Sequence, residues 1–329
     1  MINIFFDPRY ALRRKKYLKF PIKDSHFLNR FIQILFFLKV PISKNYVDNG
    51  ALMLMNNILK NFKKSKNISI NKYKFNNTYI VQFDHFGENT LEQILNNSHS
   101  KKILIGPLFT YEQLNKLASF VNEYPFIKIL VSNIESFKSL LDNFSIDIEL
   151  KNVIVMPCGV LPEKDVYFGK TETRNNKCLI YFKNNDTDKL NNIKEFLNSK
   201  NIEYIIFKNK FYKNYDLIKS AKSCKFSIVL STTESQGFGI QELMSQNLPL
   251  LIWEETTNRY ENKDIFGSSV PYWSDMCGKK FNNLNDLNEI FDEFYKNINK
   301  FNPAEFFKNE LTFEKNNKNL FEIFNKSFN

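Results

Sequence analysis

The chain has 329 residues, of which 43% are hydrophobic and 16% aromatic. That is enough for two domains with real cores and too apolar for a largely disordered chain. The formal charge is +11, yet only six of the 46 basic residues are Arg, and Lys, Asn, Phe and Ile are all abundant together. We read the charge as compositional bias rather than as nucleic-acid binding, which leans on bidentate Arg contacts.

Mean hydropathy is −0.38. The longest apolar stretch, residues 31–40, is broken by Gln33 and Lys39, whereas a bilayer span needs about 20 apolar residues. The first basic run follows the first apolar one, so no cleaved secretory signal is expected. Cys158, Cys178, Cys224 and Cys277 form no Cys-x-x-Cys pair, and His26, His85 and His99 are scattered. Free thiols, a cytoplasmic setting and no metal site are the expectations.

In chain order, residues 1–6 read as a first strand. Arg9, Arg13, Arg14, Lys15, Lys16, Lys19 and Lys23 then interleave with Tyr10, Tyr17 and Phe20. This run is a solvated face or, in the sharper reading, a patch for anionic lipid that makes the protein peripheral to a membrane. Residues 49–64 read as a helix. Strands are predicted at 79–83, 102–105, 127–131 and 153–156, with helices at 91–97, 111–124 and 135–144 between them. Pro157, Gly159 and Pro162 punctuate the chain, and 163–176 reads as a connection.

The alternation then restarts. Strands are predicted at 178–182, 204–207, 226–230 and 249–253, and helices at 188–199, 215–223 and 240–246. Repeated strand–helix–strand units imply right-handed crossovers and parallel sheets. The predicted fold is therefore α/β, with two Rossmann-like domains facing across a cleft. An N-terminal domain spans residues 1–160, a linker 161–176, a C-terminal domain 177–300, and helices at 301–329 pack back on the N-terminal domain. The apolar stripes Leu287, Ile290, Phe291, Phe294 and Leu320, Phe321, Ile323, Phe324 read as core.

The informative segment is Ser231-Thr-Thr-Glu234-Ser235-Gln236-Gly237-Phe238-Gly239-Ile240-Gln241-Glu242. It leaves an apolar strand and opens a helix. Glycine lets the backbone approach a ligand closely, and the free N–H groups of a helix start favour a phosphate. Carboxylates on either side of that phosphate can accept hydroxyl hydrogens, which matches the order of groups in a nucleotide sugar. Asp186-x-Asp188 resembles a metal-holding Asp-x-Asp, but it stands where a helix N-cap is expected. Gly237-x-Gly239-x-x-Glu242 lacks the third glycine of the dinucleotide fingerprint. Asp84 and His85 follow a predicted strand, where an acceptor-side base could sit.

The spacing Glu-x7-Glu, with Gly three after the first Glu and Pro seven after the second, resembles the donor motif of the family 4 ("group 1") GT-B glycosyltransferases. Leu248-Pro249, Trp253-Glu254, Ser269-Val270-Pro271-Tyr272 and Cys277-Gly278 extend the resemblance over about residues 150–325. Ile105-Gly106-Pro107 and Met156-Pro157-Cys158-Gly159-Val160 are weaker echoes.

The resemblance implies a hexosyltransferase-like enzyme with two Rossmann-like GT-B domains, acting with retention and without metal or cofactor. Its donor would be a nucleotide sugar such as a UDP- or GDP-sugar, and its acceptor a glycan, a lipid-linked sugar or another hydroxyl compound. Glu242 would hold the ribose hydroxyls and Glu234 the sugar. Ser235, Gly237, Phe238 and Gly239 would line the donor, the last three facing the diphosphate through their backbone. Lys183 would neutralise the leaving diphosphate. The family's second Lys lies five positions later; here Lys189 is one position off. The alternative is a non-catalytic GT-B-like protein that binds a nucleotide or glycan.

Overall fold

A computed structural model describes residues 2–5, 68–70, 77–81, 102–160, 174–208, 212 and 214–328. The predicted helices at 49–64 and 91–97, the basic run and most of the linker lie outside the described residues.

Two parallel sheets organise the chain. The first contains β1 (Ile2–Phe5), β2 (Ile68–Ile70), β3 (Asn77–Val81), β4 (Lys102–Leu108), β5 (Ile127–Val131) and β6 (Val153–Val155), in the spatial order β2-β1-β3-β4-β5-β6. Helices α1 (Tyr111–Glu123) and α2 (Ile134–Phe144) join the later strands.

The second sheet contains β7 (Asn175–Phe182), β8 (Glu203–Lys208), β9 (Cys224–Leu230), β10 (Leu250–Trp253) and, further along the chain, β13 (Gly278–Phe281), in the order β13-β10-β9-β7-β8. Its crossovers are α3 (Thr187–Ser199), α4 (Asn214–Ser223) and α5 (Phe238–Ser245). The hairpin β11 (Thr257–Tyr260) and β12 (Lys263–Phe266) falls between β10 and β13. The chain ends in α6 (Leu284–Lys296), the short α7 (Pro303–Phe306) and α8 (Phe313–Lys326). This is the two-sheet α/β architecture that the sequence implies.

Each sheet is covered on both faces, which explains why its inner strands, such as β5, β9 and β10, are mostly apolar. On one face of the first sheet Ile2, Ile4, Tyr79, Leu104 and Leu130 meet Phe313, Leu320, Ile323 and Phe324 of α8. The last helix thus packs on the first sheet, where the Lys102 ammonium donates to Phe324 O at 2.8 Å. The opposite face buries Ile103, Ile105, Ile127 and Ile129 against α1 and α2. In the second sheet Leu179, Val229 and Leu250 face α4 and α5, whereas Ile180, Ile228 and Leu251 face α3 and α6.

Several elements depart from the sequence expectation, among them β2, a strand at Ile68–Ile70 that the sequence does not announce. β4 does not stop at Gly106 but continues to Leu108, with a register shift between Ile105 and Leu108. An irregularity of this kind is how a strand tolerates a proline. Strand β13 is Gly-Lys-Lys-Phe, which carries no alternating apolar pattern; its pairing with β10 defines it.

The hairpin was also unforeseen, and it packs on the other half of the chain. Ile265 is buried in the core beneath α1 and α2. The Tyr260 ring sits edge-on to Tyr111 and Phe144, and its hydroxyl donates to Glu112 at 2.9 Å.

Candidate functional site

In both sheets the first strand lies between the second and third, so the chain winds away from it in opposite directions. Open parallel sheets bind ligands at such a switch point, outside the carboxyl ends of the strands. In the second sheet that point lies between β7 and β9. β7 ends at Phe182 and β9 at Leu230, so Lys183 and the Glu234 loop emerge side by side. The backbone N–H groups of Lys183 and Asn184 both donate to Leu230 O, at 2.8 and 3.2 Å, fastening one loop to the end of the other strand.

Lys183 Nζ lies 2.6 and 2.5 Å from the two carboxylate oxygens of Glu234. Ser231 donates to the same carboxylate. Glu234 is only 7% exposed, and a buried carboxylate needs such partners. Its backbone N–H donates to Ser268 O at 2.8 Å.

The helix start follows at once. Gly237 caps α5 with φ 72° and ψ 43°, in the left-handed region where a side chain is strained. Its carbonyl accepts the first helical bond, from Gln241 N at 3.0 Å. Gly237 itself supplies no side-chain cap, and the first-turn N–H groups of a helix point along its axis away from the helix body, the direction from which an anion is favoured. Gly239 is required for space: a Cβ there would fall on the Tyr181 hydroxyl. The Phe238 side chain packs against the cores of both halves, and Ser235 is half-buried in the loop.

Glu242 lies on α5 and is 7% exposed. Its charge reaches the same pocket of phenols as that of Glu234. Burial pushes the Tyr212 hydroxyl up to about 12, and the Glu242 and Glu234 carboxylates act in the same direction. Tyr212 donates to the Tyr181 hydroxyl at 3.1 Å, and burial raises the Tyr181 phenol as well. The fold therefore brings Lys183, Glu234, Gly237, Gly239 and Glu242 to one end of the second sheet.

Lys189 is engaged differently. It pairs with Glu255 and Asp186 and sits 4.8 Å from the Trp253 ring centre. Asp186 caps α3, accepting from the N–H groups of Asp188 and Lys189 at 3.2 and 3.0 Å. Among the described residues, no group of three or more His, Cys, Asp or Glu side chains is arranged to hold a metal ion, and no helix is long and apolar enough to cross a membrane. Asp84 and His85 lie outside the described residues.

Sequence reasoning missed the residues that join this loop to the other half. The Gln236 amide exchanges two hydrogen bonds with the Cys158 backbone, accepting from its N–H at 2.8 Å and donating to its carbonyl at 3.2 Å. Asn133 Nδ2 donates to Glu234 O at 3.4 Å. The Tyr272 hydroxyl donates to Ser132 O. Gln236 and Tyr272 both stand inside the motifs quoted above, but nothing in a motif says which distant backbone a polar side chain meets.

No family model matches the chain, and no curated protein matches it significantly. Among solved structures it is similar to a Staphylococcus aureus TarM variant solved with fondaparinux, alpha-GlcNAc-glycerol and UDP. The identity is 13%, the TM-score 0.46, and the match covers 78% of this chain and 56% of that one. The chain thus spans little more than half the length of TarM.

A sucrose-phosphate synthase from Thermosynechococcus elongatus matches over 99% of this chain and 98% of its own, at 9% identity and a TM-score of 0.49. WaaG, a glycosyltransferase involved in lipopolysaccharide biosynthesis, matches over 98% of this chain and 99% of its own, at 11% identity and a TM-score of 0.42.

Proposed function

We propose that the chain is a GT-B glycosyltransferase that moves a hexose-like sugar from a nucleotide sugar to a glycan, lipid-linked or other hydroxyl acceptor. The observation that carries this reading is the Lys183–Glu234 pair at the β7/β9 switch point, beside the glycine-capped start of α5. A cation, a buried carboxylate and outward N–H groups meet there. That is the complement of a sugar diphosphate.

The division of labour follows from the chemistry. The first turn of α5 and its dipole hold the diphosphate. The Lys183 ammonium has three donors, so it can keep its hold on Glu234 while turning toward a phosphate oxygen. As the sugar–phosphate bond breaks, charge grows on the leaving nucleoside diphosphate, and a cation already in place stabilises that change without reorganisation. Glu234, steadied by Lys183 and Ser231, accepts from sugar hydroxyls. Glu242 takes the ribose diol. Retention of configuration and independence of metal are part of the proposal, supported by the motif resemblance and by a cation that can meet the phosphate charge. So is a peripheral contact with anionic lipid through the run at 9–23, in a cytoplasmic setting, which vesicle co-sedimentation would test.

The deciding experiment is a melting-temperature panel with UDP, GDP, ADP and their sugars, followed by a turnover assay with and without EDTA. A ligand held only by the folded state contributes about 2.7 kcal/mol at a hundredfold excess over its dissociation constant. A rise with one nucleotide, and EDTA-resistant sugar release, is the expected result. No rise with any nucleotide would sink the donor site. Binding without turnover would favour the non-catalytic reading, and turnover lost to EDTA and restored by Mn²⁺ would overturn metal independence.

A further inference from the structure

We propose that Gln236 is a positioning residue: it ties the Glu234 loop to the junction between the two halves, so that the transfer geometry forms only when that junction is closed. The inference rests on the donor-site reading above for its link to turnover, but its structural part does not depend on it.

Gln236 stands two residues after Glu234 and one before Gly237. A free polar side chain in such a loop would point to solvent, yet Gln236 is 3% exposed and its amide is fully engaged. Its oxygen takes the Cys158 N–H at 2.8 Å, and its nitrogen gives to Cys158 O at 3.2 Å and to Gln241 Oε1 at 3.0 Å. Gln241 returns a bond to Gln236 O at 2.7 Å.

Cys158 lies just beyond β6, where the chain leaves the first sheet. It belongs to no strand or helix, so its backbone groups need partners from elsewhere. One primary amide supplies both, in the way a neighbouring strand would. The identity of the partners also fixes which end of the amide is oxygen.

The tie reaches the site in two directions. Through Gln241 it holds the first turn of α5, the helix that carries Glu242. Through the backbone it holds the loop that carries Glu234, whose own carbonyl takes a second bond across the junction from Asn133. Phe238 adds an apolar contact to both cores. If the halves part at Cys158, the loop loses its external reference while the β7/β9 scaffold stays intact. Such a loss moves kcat more than nucleotide affinity, because transfer demands alignment closer than binding does.

Two variants test this, read in two ways. Gln236→Ala removes all three bonds of the side-chain amide. Gln236→Glu keeps nearly the same volume and still accepts from the Cys158 N–H, but sets a carboxylate against Cys158 O and Gln241 Oε1. Both should lower kcat by about tenfold or more, the scale of a buried polar group left unpaired, with nucleotide affinity within about threefold of wild type.

The second readout needs no substrate. Cys158 is 3% exposed, and Cys178, Cys224 and Cys277 are buried too. Thiol labelling of the intact protein, mapped by mass spectrometry, should speed up at Cys158 by about tenfold in both variants while the other three thiols label as in wild type. Equal acceleration at all four would mean general loosening and would overturn the proposal. So would unchanged Cys158 labelling, or full kcat in a variant whose wild type turns over. If the wild type binds no nucleotide, the donor-site reading fails, and the labelling pattern alone decides the role of Gln236 at the junction.

Discussion

Lys183 and Glu234 stand in the loops that follow two different strands, 51 residues apart, and meet with the ammonium 2.6 and 2.5 Å from the two carboxylate oxygens. The pair is partly sheltered, with the lysine side chain 30% and the glutamate 7% exposed. It therefore keeps more of its strength than a surface pair would. Removing one partner leaves the other charge uncompensated where water is scarce.

Lys183→Ala should lower kcat by about a hundredfold, the scale of losing one preorganised donor to a developing anion, with a smaller change in nucleotide affinity. Lys183→Arg should recover part of the rate, since charge is retained and shape is not. Lys189→Ala is the control, because Lys189 is engaged by Glu255 and Asp186. Steady-state kinetics beside nucleotide titrations check this, and equal losses at both lysines would misplace the cation.

Glu242→Ala should weaken nucleotide binding by about tenfold or more. Hydrogen bonds to a charged group contribute about 1.5–3 kcal/mol, and the ribose diol would lose its carboxylate. Calorimetric titration of the folded variant is the measurement, with unchanged affinity as the opposing result.

Gly239→Ala should destabilise the protein, because its Cβ falls on the Tyr181 hydroxyl. A misfit of this kind costs about 1–3 kcal/mol. Tyr181→Phe removes the oxygen and should relieve part of that cost. A double-mutant cycle in urea would show the two changes to be coupled; strict additivity would contradict the contact.

Ile265→Ala should cost about 2–5 kcal/mol, although Ile265 belongs to a small two-stranded hairpin outside both main sheets. The reason is that its side chain is 7% exposed and sits in the core under α1 and α2. Denaturant unfolding should show the loss, and tryptic cleavage near residues 257–266 should accelerate. A loss below about 0.5 kcal/mol would mean that the hairpin merely rests on the surface.

Much of the scaffold was legible in the chain. Parallel strands buried on both faces are apolar over most of their length, and Ile127–Val131 and Cys224–Leu230 read as such apart from Lys128, Lys225 and Ser227. Helices with one covered face show a 3.6-residue stripe, as α1 and α6 do. The Glu234 to Glu242 segment could be picked out because a glycine, two carboxylates and a downstream proline stand in register where an apolar strand gives way to a helix. Asp186 was legible as a cap, since its partners lie two and three residues away.

The rest depended on partners far along the chain. Strand β13 has no apolar alternation and is defined by pairing with β10. Gln236 and Cys158 are separated by 78 residues. Local pattern records which face of an element avoids water, because that is a property of neighbouring residues. It does not record which distant backbone a buried amide will satisfy. That choice is made only when the two sheets close on each other and every buried N–H and C=O must find a partner.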